Sequence, residues 1–239
     1  MKCNLFTRSL VLTALLGVGM LPGQALRAND EKVLVFEKFV KPWIHDSLYL
    51  NVNGVATIDG AFLFNDKGYV DDWVPIRTND MKLIQSINNV IGEWKIEPVT
   101  YNGEPSWSYI EFQIRFVNEG AVVSLTPLEA VISFTKSMRD DFHLVIPFRD
   151  LDSIPKPIHM ETPRISPQLA RDSSGETVTF EFFIDQKGKV RIPIIKEDYN
   201  TEELAAAIML ESLLKWEFEP PTRNGKAVIT RAVIPFRIP

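Results

Sequence analysis

Phe62-Leu63-Phe64-Asn65-Asp66-Lys67-Gly68-Tyr69-Val70 is answered 120 residues later by Phe182-Phe183-Ile184-Asp185-Gln186-Lys187-Gly188-Lys189-Val190. Each stretch runs from apolar residues into a polar tetrapeptide with glycine in fourth place, then back toward apolar sequence. That is the pattern of two strands joined by a tight turn, with glycine at a positive-φ position. Further out, Glu93-Trp94-Lys95-Ile96-Glu97-Pro98 reappears as Lys215-Trp216-Glu217-Phe218-Glu219-Pro220, and Asn102-Gly103 as Asn224-Gly225, now 122 residues apart. Order is kept, and one two-residue change of length falls between hairpin and Trp segment. A repeat of this length predicts two tandem copies of one small domain.

In the first copy the pattern predicts strands over residues 55–64 and 69–75, then a helix from Asp80 to about Glu93 capped by Asn79. Met81, Ile84, Ile87, Ile91 and Trp94 recur every three or four residues and would share one apolar face. A final strand over 107–116 sets Tyr109 opposite Ile110, Phe112, Ile114 and Phe116. In the second copy, strands are expected over 176–184, with Val178, Phe180, Phe182 and Ile184 on one face, and over 189–195. A helix follows, capped by Asn200 with Glu203 as its capping-box partner. It carries Ala206, Met209, Leu213 and Trp216 at the positions of Ile84, Ile87, Ile91 and Trp94. A last strand is expected over 227–238.

The expected fold class is α+β: two tandem strand–strand–helix–strand units, each an antiparallel sheet packed on a helix. Residues 118–158 are too apolar for disorder. Within them, 121–125 and 142–148 read as extra strands of the first copy, and Pro155 and Pro157 as a stiff linker. The expected division is 1–28 signal peptide, 29–153 first domain and 154–239 second domain.

Lys2 and Arg8 flank the start of a run of apolar and small residues over 10–21, broken by Pro22-Gly23-Gln24-Ala25. The run is short of the roughly 20 residues a membrane-spanning helix needs. It reads as a cleavable secretion signal, cut after Ala25 or Ala28; a retained segment tethering the chain to an inner membrane is the alternative. Cys3, the only cysteine, precedes that run, so cleavage leaves nothing to form a disulfide. Cleavage after Ala28 also removes Lys2, Arg8 and Arg27 and no acid, taking the formal charge from −5 to −8. The 45% hydrophobic and 24% charged content is that of a globular protein, and no basic run points to nucleic acid. An acidic, exported protein with no stable membrane span after cleavage is expected.

The stretch Val178-Thr179-Phe180-Glu181-Phe182-Phe183-Ile184-Asp185-Gln186-Lys187-Gly188-Lys189-Val190 resembles the C-terminal domain of the TonB family of periplasmic proteins. The resemblance continues through Glu203-Leu204-Ala205-Ala206-Ala207-Ile208, the Lys215-Trp216-Glu217-Phe218-Glu219-Pro220 segment, Asn224-Gly225-Lys226 and Ile234-Pro235-Phe236. Pro163-Arg164-Ile165-Ser166-Pro167 stands where that family often has a proline-rich lead-in. Together these cover most of residues 160–239. The first copy is more diverged, with Asn65 for the aspartate and Gly92 before the Glu-Trp pair.

The resemblance implies a periplasmic location and a small antiparallel sheet that captures an extended segment of an outer-membrane receptor. Capture is by strand addition at the last strand, with main-chain hydrogen bonds supplying affinity. Here that strand contributes Val228, Ile229, Thr230, Arg231, Ala232, Val233 and Ile234 and, by repeat, residues 107–114. Trp107 is the aromatic best placed for such an interface; packing on the sheet is its alternative. TonB energy transducers also carry an uncleaved anchor and a long proline-rich spacer, whereas residues 29–50 hold one proline, Pro42. A binding protein for a protein or extended peptide partner is therefore expected, rather than a force transmitter. The alternative is a structural or self-assembling protein whose edges pair with each other or in a homodimer.

No catalytic, metal or cofactor site is expected. His45, His143 and His159 have no second histidine or cysteine at ligand spacing. His45-Asp46-Ser47 cannot form a triad, because adjacent side chains do not converge. The acid pairs Asp71-Asp72, Asp140-Asp141 and Asp150/Asp152 lack a calcium-loop pattern and read as solvated turns. Trp94 and Trp216 read as closing each helix against its sheet.

Overall fold

The computed structural model describes residues 19–20, 35–44, 55–101, 103–117, 120–124, 142–175, 177–196 and 203–237. These form a mixed α+β fold of several antiparallel sheets and few helices. The first half holds β1 (Phe36–Lys38), β2 (Val55–Phe64), β3 (Val70–Thr78), α1 (Lys82–Asn88), β4 (Lys95–Ile96), β5 (Ser108–Val117) and β6 (Gly120–Ser124). The connection holds β7 (Phe142–His143) and β8 (Val145–Ile146). The second half holds β9 (Pro157–His159), α2 (Pro167–Asp172), β10 (Thr177–Ile184), β11 (Val190–Ile195), α3 (Glu203–Leu213), β12 (Glu217–Phe218) and β13 (Ile229–Arg237).

One sheet runs Gly19–Met20, β5, β2, β3, β7, with β6 also paired to β5; the other runs β8, β13, β10, β11. The chain thus passes between sheets at Leu144: β7 pairs with β3, and β8 pairs parallel with β13. Of the added strands expected with the first copy, β6 and β7 lie on the first sheet and β8 on the second.

The hairpins are built alike. Gly68 N donates to Asn65 O and Gly188 N to Asp185 O, both at 2.9 Å. Asn65 Oδ1 accepts from Lys67 N (3.0 Å) and Tyr69 N (3.1 Å). Asp185 Oδ1 accepts from Lys187 N (2.8 Å) and Lys189 N (2.9 Å). Asn65 therefore replaces aspartate without loss, because one side-chain oxygen closes both turns.

The first helix is shorter than its periodicity predicts: α1 stops at Asn88, and a 3-10 turn covers Ile91–Glu93. Asn79 is not its cap. Its Oδ1 accepts from Thr57 N of β2 (2.8 Å), while Asp80 Oδ1 accepts from Lys82 N (2.8 Å). A strand amide has taken the cap residue, as short polar side chains allow, and Gly92 further weakens helical continuation. Leu83 and Ile87 are buried, whereas Met81 is 46% exposed. In α3, Ala206, Met209 and Leu213 are buried as the spacing requires; Asn200 lies outside the described residues.

Three apolar clusters follow. Phe62, Phe64, Ile110, Phe112, Ile114 and Phe116 pack with Leu83, Ile87 and Trp94 on the α1 side of the first sheet. Val178, Phe180, Phe182 and Ile184 pack with Ala206, Met209 and Leu213 on the α3 side of the second. The remaining faces meet each other through Leu63, Val74 and Tyr109 against Phe183, Ile192 and Ile194. Helix, sheet, sheet, helix is the layer order, so each sheet buries both faces.

Candidate functional site

β13 pairs with β10 over its whole length, from Ile184↔Thr230 to Thr177↔Arg237. Among the described residues, its other edge pairs only with β8, at Ile229 and Thr230, where Thr230 Oγ1 also donates to Ile146 O (2.7 Å). Those two members of the expected binding strand are already occupied. Among the described residues, no strand pairs with that edge over 231–237. Main-chain donors and acceptors are thus left for another chain, except at Pro235, which has no N–H.

The other edge expected to bind, residues 107–114, is partly covered. β6 pairs back along Gln113 to Val117, and Gly19–Met20, which lies within the segment expected to be cleaved, pairs with Ser108 and Tyr109. Trp107 lies just before β5, half exposed, and is not part of the open edge.

Beside the open edge of β13 runs a groove of about 660 Å³. Arg231, Ala232, Val233 and Ile234 form one wall; Phe148, Ile154, Pro155, Pro157 and Met160 form the other; Ile184, Trp216 and Phe218 also line it. Its size lies within the roughly 300–1,000 Å³ usual for ligand sites. Strand alternation divides the wall. Ala232 and Ile234 pack toward α3, while Val233 is 48% exposed. Arg231 turns toward the first sheet, where Nη2 donates to Glu111, and its Nη1 donates to Glu181 Oε1 on neighbouring β10 (3.0 Å). Val228, just before β13, is half buried, and its N–H donates to Pro221 O (2.8 Å).

The far wall is held by Asp152, which sequence reading took as part of a solvated turn. Asp152 accepts from Asn224 N (2.8 Å) and Gly225 N (2.9 Å), and its own N–H donates to Thr222 O (2.8 Å). Asn224 and Gly225 both have positive φ, 52° and 71°, as an Asn-Gly hairpin turn requires. The two amides, Gly225 foremost, hold the Asp152 carboxyl below its ordinary 3.8. A depressed folded pKa means the tether is present above the unfolded value and lost as pH falls through the folded one. An NMR titration of Asp152 should therefore give a midpoint below 3.8, with the Asn224 and Gly225 amides losing protection, relative to their intrinsic exchange rates, as the carboxyl is protonated. A midpoint at or above 3.8 would remove the tether.

Trp216 was expected to close its helix against the sheet. It is half buried, donates Nε1–H to Glu161 O (3.0 Å) and lines the groove. Trp94 is fully buried and donates to Val40 O (2.8 Å). Phe148, Ile154 and Met160 were not picked out by sequence reading. Only the repeat, carried upstream of the hairpins, could have marked the wall they belong to.

Among the described residues no group of three or more His, Cys, Asp or Glu could hold a metal ion, and no helix is long and apolar enough to cross a membrane. His143 and His159 are exposed; His45, Asp140 and Asp141 lie outside the described residues. No protein-family model matches this chain, and no curated protein matches its sequence.

Proposed function

We propose that this is an exported, non-enzymatic binding protein of two tandem TonB C-terminal-like modules, the second of which takes in β8 and the residues after it. It takes up a protein or extended peptide by strand addition at the outer edge of β13. The observation that carries this reading is the open edge over 231–237 beside an apolar groove, because main-chain pairing and side-chain pockets together define that mode of recognition. Two similar hairpins, each on its own sheet with a helix behind it, support the tandem reading. The N-terminal charge and apolar run support export by a cleaved signal, and the resemblance makes the compartment a periplasm and an outer-membrane receptor segment the natural partner.

A second reading, self-pairing of this edge between two copies, is favoured by the exposed side chains of Val233, Ile154 and Ile158 around it. A photo-crosslinking residue at position 233, in the tagged chain expressed in its own cells, separates the two. The expected product is a heterologous protein joined through one short segment, with little product from a control crosslinker at exposed Leu204. A product containing only this chain would establish self-pairing. No adduct above the Leu204 control would remove strand capture.

A further inference from the structure

The first half shows what the groove lacks. Phe36 in β1 pairs with Ile96, and Pro157 in β9 pairs with Phe218 at the matching register. Val40 and Glu161, each four residues on, accept the matching Trp94 and Trp216 indole bonds. Phe36, Phe39, Trp94 and Phe112 therefore correspond to Pro157, Met160, Trp216 and Ile234. The Phe36 ring stands edge-on to Phe39, Trp94 and Phe112, with centroids at 5.3, 6.3 and 6.3 Å. All four counterparts line the groove. Phe36 and Phe39 pack against the first core, whereas Pro157 is exposed and Met160 is 53% exposed.

We infer that the groove is a receptor for an aromatic side chain, and that its occupant is an extended partner segment placing a phenylalanine where Phe36 sits in the first half. This rests on the strand-capture reading and adds the chemistry of the captured segment. The backbone position of β1 is already filled by β9, so the ring must enter from the open side, between β13 and residues 154–160. A strand paired along 231–234 sends alternate side chains that way. The first half needs no such partner because its own ring closes the space. An aromatic ring there would meet Trp216, Met160 and Ile234, giving edge-to-face and sulfur–aromatic contacts as well as apolar burial.

The test uses the full chain and two fluorescein-labelled peptides, Thr-Val-Thr-Phe-Thr-Val-Thr and its Phe→Ala counterpart, followed by fluorescence anisotropy. Burial of one phenyl group predicts about 10- to 100-fold tighter binding of the Phe peptide. Pro157→Phe, which restores the ring in cis, should abolish that preference. Met160→Phe, at an exposed position, is the second plug should Pro157→Phe fail to fold. Equal affinity of wild type for both peptides would overturn the aromatic receptor and leave strand capture standing. Binding of neither would overturn both. A full preference surviving in a folded plugged variant would place the ring elsewhere and overturn the inference.

Discussion

Gly188→Ala should cost on the order of 2–4 kcal/mol of stability, and Gly225→Ala only about 1 kcal/mol. Both glycines have positive φ, 82° and 71°, so the backbone strain of adding a side chain is similar. Surroundings separate them. A Cβ on Gly225 meets nothing within 4 Å, whereas one on Gly188 would sit 1.9 Å from Phe218 O. That oxygen is main chain and cannot swing aside. Relief requires moving β12 away and breaking the Phe218 N–H bond to Gly188 O, now 2.8 Å. Since β12 also pairs with β9, the damage would reach the groove wall. Gly68→Ala should behave similarly, because its Cβ would lie 2.1 Å from Ile96 O. Urea unfolding of the three variants decides the matter. Equal losses at Gly188 and Gly225 would show that strain alone, without the collision, sets the cost.

Arg231→Met should destabilise the protein by about 2–4 kcal/mol at pH 7, below the full penalty of a broken buried pair because the side chain is one-third exposed. The guanidinium sits between Glu181 and Glu111, lies 4.8 Å from the Phe183 ring centroid, and faces the Tyr109 hydroxyl, which donates to Glu111. Burial works against its charge, yet Tyr109, Glu111 and Glu181 outweigh burial and raise its pKa. Burial, aided by Glu111, likewise lifts the Tyr109 phenol well above its usual range. Methionine keeps much of the volume and leaves Glu111 without its cation, facing a Glu181 that keeps only Lys196 (3.3 Å). The repulsion is absent in the Glu111→Gln/Glu181→Gln background, where Arg231→Met should cost much less. Urea unfolding in the two backgrounds reads this directly, and an equal cost in both would mean the loss is one of packing, not charge.

Strand boundaries were legible because apolar alternation sets them: β2 falls on residues 55–64 as read, and β10 and β11 begin one residue late. The α1 terminus was not legible. Asn79 is a plausible cap in sequence, and only the fold brings Thr57 N within its reach. The second apolar face of each sheet was underweighted for a similar reason. Leu63, Val74, Phe183 and Ile194 look like ordinary hydrophobic positions until another sheet is found against them.

By itself the sequence determined that two similar strand–strand–helix–strand patterns exist, where their hairpins turn and which faces meet their helices. These follow from residue periodicity and from glycine at positive φ, both local properties of the chain. Tertiary structure alone decided how each edge is covered. Residues 107–114 and 228–234 carry equivalent strand patterns; apart from Gly19–Met20, which the proposed cleavage would remove, β6 pairs with Gln113 and Ile114 of one and β8 with Ile229 and Thr230 of the other, and the groove lies beside the second. The groove was likewise decided there, since a missing ring at Pro157 becomes a cavity only where Trp216, Met160 and Ile234 surround it. Edge pairing and cavity formation depend on contacts between residues far apart in the chain, which no local pattern encodes.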